Sequence, residues 1–178
     1  MDVLLVHPEI PHNSGCAARL AAATGTTLHL VEPLGFSLED RYLKRAGLDY
    51  WPQVELRVHP DLDRAIAAFG GAAAFAERAR LFTARGGSSL FETAFGADDV
   101  LVFGSESSGL PAELLERHAE RRVYVPIREG VRSLNLANTV CLALFTAMHR
   151  AGCPLPNNDG RYVPHPEAGA VRPADRLR

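Results

Sequence analysis

Apolar runs rich in β-branched residues alternate along the chain with segments of helical periodicity. DVLLV (2–6), TTLHLV (26–31), RLFTA (80–84), DVLVFG (99–104) and RVYVPI (122–127) read as strands, several of them apolar throughout, like strands buried on both faces of a parallel sheet. Helices are predicted between them. SGCAARLAAATG places Ser14 as an N-cap and Gly25 just past the end. FSLEDRYLKRAG has Ser37 with Asp40 in the capping-box position and Gly47 as the stop. HPDLDRAIAAFGG and LPAELLERH follow the same grammar, the second with Pro111 near its first turn. The alternation predicts an α/β fold, one parallel sheet covered on both sides.

The last helix has a different pattern. SLNLANTVCLALFTAMHR, from Ser133 to about Arg150, is apolar on nearly every side, so it is expected to be buried in the fold or against a partner chain. Residues 154–178 carry Pro, Gly, Asn and Arg without periodicity and read as a flexible tail behind a single domain at 1–153.

Composition narrows the class. At 178 residues, with 47% hydrophobic and 22% charged positions, the chain suits one globular domain. No apolar run reaches the roughly 18 residues of a spanning helix. MDVLLVHPEI lacks a basic n-region and a cleavage site, so a cytoplasmic location is expected. Cys16, Cys141 and Cys153 are widely spaced without a C-x-x-C, which predicts free thiols. A net charge of −2 does not announce a nucleic-acid binder, so any such role must rest on local patches.

Several chemistries lack their residues. HPEIPHNSG follows the first strand without the G-x-G-x-x-G of a dinucleotide fold. Gly104 and Gly109 have the spacing that begins a P-loop, but Leu110 and Pro111 stand where its Lys and Ser/Thr belong. The same loop lacks G-x-S-x-G. His7 and His12 lie in a Pro-containing loop without H-E-x-x-H, and no metal is expected.

Three polar loops remain, each after a strand: HPEIPHNSG, FGSESSGLP and PIREGVRSLNLAN. In an open α/β sheet such loops gather into one crevice at the carboxyl ends of the strands, where ligands bind. Gly104 and Gly109 allow close backbone approach, and Ser133 reads as the N-cap of the last helix.

PEIPHNSG, EPLGF, KRAGLDY, FGSESSGLP and the run from VPI to RSLNLAN resemble the SPOUT superfamily of knotted RNA methyltransferases. Within it they are most similar to the small tRNA 2′-O-methyltransferases acting on wobble nucleotide 34, cytidine or modified uridine, over residues 2 to 153. The resemblance implies a C-terminal trefoil knot, S-adenosylmethionine as methyl donor with S-adenosylhomocysteine as product, a homodimer, and the tRNA anticodon stem-loop as partner. It implies that the donor's adenosine lies among Phe82, Thr83, Gly104, Val125, Ile127, Ser133 and Leu134, with Glu106 holding its loop through backbone N–H groups.

Asn13, Gly15 and Arg19 match the family's N-x-G-x-x-x-R motif, whose arginine is implied to lie beside the donor and reach the RNA. Because a guanidinium is effectively always charged, Arg19 is expected to grip the target phosphate and stabilise developing alkoxide. Ser133, Asn13 or a phosphate oxygen would relay the proton. Arg41, Lys44 and Arg45 share one helical edge, and Arg128 and Arg132 flank the last site loop; either set suits RNA phosphates or an ordinary solvated face. Cys16, Ser105, Ser108 and Phe145 depart from the family's usual residues. Two alternatives stand beside this reading: a sister enzyme acting on another tRNA or rRNA position, and a non-catalytic RNA-binding module.

Overall fold

The computed structural model describes residues 1–38, 53–84 and 86–157. The chain runs β1 (Asp2–Val6), α1 (Pro11–Thr24), β2 (Thr27–Val31), β3 (Leu56–His59), α2 (Leu62–Ala68), α3 (Gly71–Arg78) and β4 (Ala79–Phe82). It continues through β5 (Ser88–Ser89), β6 (Val100–Phe103), α4 (Ala112–Arg117), β7 (Arg122–Tyr124) and α5 (Leu136–Arg150). The seven strands form one sheet in the order β3-β2-β1-β6-β4-β7-β5, with every pairing parallel.

Alternation along the strands builds a core on each face. Val3 and Leu5 of β1 join Leu28, Leu30, Leu101 and Phe103 beneath α1 and α5. Leu4 and Val6 point the other way, with Val31, Leu81 and Val102, beneath α2, α3 and α4. The apolar run DVLLV therefore reflects burial on both faces. Between α1 and α5 the contact is made by small residues, Ala17, Ala18 and Ala21 against Ala143 and Ala147, so the alanine-rich composition of α1 permits a close helix pair.

Several element boundaries differ from the sequence expectation. Helix α1 begins at Pro11 with Ile10 as N-cap, so Ser14 is not a cap. Pro11 at the first turn is pre-set for helix, and Ser14 is buried one turn inside. Gly25 ends α1 at φ 69° with its N–H on the Ala21 carbonyl, as its position past the helix predicts. Ser133 is not a cap either: α5 starts at Leu136, and the Asn135 side chain accepts the Asn138 N–H. The strands expected at 80–84 and 122–127 stop at Phe82 and Tyr124, and the residues beyond them turn into loops. Strands β3 and β5 and helix α3 were not expected. The predicted helix at 36–47, and with it Arg41, Lys44 and Arg45, falls almost wholly outside the described residues.

Candidate active site

The loops after β1, β4, β6 and β7 meet at the carboxyl edge of the sheet around a cleft of about 510 Å³, a size suited to a small ligand. Phe82 and Phe103, from the ends of neighbouring strands, form an aromatic floor with ring centroids 4.5 Å apart. Val125, Ile127 and Leu134 add apolar wall, while Thr83, Ser133 and Arg132 contribute polar groups. The loop 104–109 closes on itself. Ser105 N–H donates to the Gly109 carbonyl at 3.2 Å, Gly109 N–H returns to Ser105 at 2.9 Å, and Ser108 N–H donates to Ser105 Oγ at 3.2 Å.

A chain of polar side chains ties three of these loops together. Glu106 accepts the N–H of Glu9 at 2.8 Å, the N–H of Ile10 at 3.2 Å and Asn13 Nδ2 at 2.8 Å. Asn13 is buried, and its Oδ1 accepts Asn135 Nδ2 at 3.0 Å. Asn135 then caps α5 through the Asn138 N–H. The carboxylate thus sits at the start of α1, where backbone N–H groups and the helix dipole favour negative charge. Each link joins elements about a hundred residues apart in sequence, so the cleft's walls are fixed relative to one another by side chains on its own rim.

All the residues expected at the donor site line this cleft: Phe82, Thr83, Gly104, Glu106, Val125, Ile127, Ser133 and Leu134. Asn13 and Arg132 line it too. Arg19 does not. It lies on the exposed side of α1, away from the cleft lining. Sequence reading missed Ile10, Asn135 and Thr139, which also line the cleft. The signal for Asn135 was present, since an asparagine at the head of the apolar run LANTVCLALFTAM is a favoured N-cap. Ile10 carried none, being an ordinary apolar residue between two prolines. Among the described residues no group of three or more His, Cys, Asp or Glu side chains could hold a metal ion.

Fold and cleft define an α/β protein that takes its ligand at the carboxyl ends of a parallel sheet, between loops of separate strands. Residues 1–145 match the SpoU rRNA Methylase family model, and the chain belongs to that family. It is 51% identical over 152 residues, 85% of this chain and 96% of the relative, to the tRNA (cytidine(34)-2'-O)-methyltransferase of Burkholderia ambifaria. Among solved structures it resembles one concerned with 2-OH methylation of C/U34 on tRNA, at 45% identity and TM-score 0.77, covering 85% of this chain and 95% of that one. The fold is shared at 22% identity and TM-score 0.73 with the methyltransferase AviRb of Streptomyces viridochromogenes, solved with its cofactor AdoMet, over 84% of this chain and 60% of that one.

Proposed function

We propose that the protein transfers a methyl group from S-adenosylmethionine to the ribose 2′-hydroxyl of wobble nucleotide 34, cytidine or modified uridine, in tRNA. The observation that carries this reading is the cleft in which the loops after β1, β4, β6 and β7 converge. In a chain so similar to a nucleotide-34 methyltransferase, that cleft brings together Asn13, Glu106 and Ser133.

The cleft fits the donor on this chain's own features. Adenine calls for an apolar slot with a few backbone partners, and Phe82, Val125, Ile127 and Leu134 supply one beside the loop backbone. A Cβ at Gly104 would lie 1.9 Å from the Gly109 carbonyl carbon, so at this wall the backbone packs directly on backbone. When bound, the donor supplies a sulfonium-activated methyl carbon. The protein's part is positioning: the target oxygen must lie in line with that carbon and lose its proton. Ser133 at the cleft rim is assigned to pass the proton to a phosphate oxygen of the RNA, and Arg132 is assigned to phosphate. Asn13, considered for the relay from sequence, has both ends of its amide bonded to Glu106 and Asn135, so its part is to hold the cleft walls.

The same reading carries a homodimer, a cytoplasmic location, the anticodon stem-loop as substrate and a trefoil knot. The sheet order supports the knot, because β7 inserts between β4 and β5, both laid down before β6. No helix among the described residues is long and apolar enough to cross a membrane. Nucleoside mass spectrometry of tRNA from a deletion strain tests the reading: 2′-O-methylation at position 34 is expected to vanish. Loss of a ribose methyl elsewhere would reassign the target, and absence of donor binding by calorimetry would overturn the enzyme reading.

A further inference from the structure

Glu9, in the turn between β1 and α1, lies outside the cleft lining, yet it touches the loops on either side. Its carboxylate reaches the glycine-rich loop, where Oε2 accepts the Ser107 N–H at 3.1 Å and Oε1 accepts Ser107 Oγ at 2.6 Å. Its own N–H goes back to the same loop, to Glu106 Oε2 at 2.8 Å. The exchange is reciprocal, with each loop offering a carboxylate to the other's N–H groups. Two carboxylates brought this near one another repel, and the arrangement holds because each accepts its own set of N–H and O–H donors.

The other side of Glu9 meets the loop after β2. Gly35 N–H donates to the Pro8 carbonyl at 2.9 Å. A Cβ on Gly35 would stand 2.6 Å from both Glu9 Cα and Glu9 O, so the Glu-Pro-Leu-Gly-Phe turn rests directly on the Glu9 backbone. One residue therefore joins the loop that walls the donor cleft to the loop that leads into residues 39–52, where Arg41, Lys44 and Arg45 lie.

We infer that Glu9 is a positioning residue: its side chain sets the glycine-rich loop for the donor, and its backbone couples that loop to the turn at Gly35. The inference rests on the donor reading of the cleft, but it has a test that does not. Amide hydrogen exchange on the ligand-free protein reads the clasp directly. In Glu9→Ala the Ser107 amide should exchange about tenfold faster, the equivalent of one lost hydrogen bond to a charged group, while core strand amides keep their rates. Glu9→Gln, with one carbonyl oxygen left to accept, should restore part of that protection.

In turnover assays Glu9→Ala should raise KM for S-adenosylmethionine about five- to tenfold with a smaller change in kcat, and Ser107→Ala should add little on top of it. Gly35→Ala should weaken donor binding although Gly35 does not touch the cleft. A wild-type Ser107 exchange rate in Glu9→Ala overturns the inference, as does an unchanged donor KM in that variant. Failure of the wild-type protein to bind the donor would instead strike the function reading, leaving the exchange result to judge the clasp. A merely structural Glu9 would lower the melting temperature without splitting KM from kcat, and would also overturn it.

Discussion

His29 and His59 occupy adjacent strands with Nδ1 of the first 2.8 Å from Nε2 of the second, both rings buried, and His29 Nε2 lies 3.9 Å from Asp2 Oδ1. A hydrogen bond between two imidazole nitrogens needs one donor and one acceptor, so the two rings cannot both be protonated while it lasts. Burial, then the charges of His29 and Arg57, hold His59 below the ordinary histidine range. The folded state thus binds its proton less readily than the unfolded chain does. Stability should be fully present above the ordinary histidine pKa of 6.5 and decline as pH falls through the lower folded value, by at most about 1.4 kcal/mol per pH unit for one proton. Urea denaturation between pH 7.5 and 5 checks this, and His59→Gln should flatten the slope. Asp2 acts in a separate window. Burial raises its carboxyl, but His29, the N-terminal amine and Arg78 outweigh that and leave it lowered, so its contribution is lost only below about 3.8. At the site the sharper substitution is Asn13→Asp. It replaces the donor 2.8 Å from Glu106 with a second carboxylate oxygen, whereas Asn13→Ala merely removes a partner. The Asp variant should lose about 2 kcal/mol more stability than the Ala variant by chemical denaturation at pH 7, and the gap should narrow at pH 4 as carboxylates protonate.

The glycine-rich loop shows how far an element can be read before it is seen. Gly104 and Gly109 were recognisable as places of special backbone, but spacing could not say that they differ in kind. Gly109 has φ +73° with open space around it, so alanine there pays mainly for conformation, about 1 kcal/mol. Gly104 packs against the Gly109–Leu110 peptide, 2.1 Å from Leu110 N for an added Cβ, so alanine there must push two backbones apart, about 3 kcal/mol or more. Thermal denaturation of the two variants should rank them in that order, with donor binding lost in Gly104→Ala. The central strands β1 and β6 were legible because burial on both faces leaves nearly unbroken apolar runs, and β2 because only His29 interrupts its LHLV core. Strand β3 was missed because Arg57 and Val58 are exposed at the sheet's edge, and β5 because it is two serines paired to β7. Helix α3 hid behind Gly70 and Gly71, which read as a stop although Gly70, at φ 94°, caps a new helix. The polar chain through Glu106, Asn13 and Asn135 was illegible as a unit. Its members were visible, but a hydrogen bond across about a hundred residues has no signature in local spacing.

Arg19 poses its problem at the level of the assembled molecule. It follows Asn13 by six residues on one helix, which turns it about 120° away from the cleft-facing side and about 9 Å along the axis. Asn13 is buried at the cleft, while Arg19 is exposed and outside its lining. In the proposed homodimer the arginine would serve the cleft of the partner subunit. The α1–α5 pair offers a surface for that dimer, since α5 presents Phe145, 39% exposed, beside the half-buried Cys141 and Leu142. If the proposed homodimer is built on this face, Phe145→Glu should leave only monomer in sedimentation velocity and abolish methyl transfer while donor binding to each cleft persists. Complementation then decides where Arg19 acts. Arg19→Ala and Asn13→Ala should each be inactive alone. Co-expressed in equal amounts, half of the dimers are mixed, and service in trans leaves one of their two clefts with both an intact Asn13 and an intact Arg19. Activity should therefore return to about a quarter of wild type. If Arg19 served its own cleft, every mixed dimer would carry two broken sites and no activity would return.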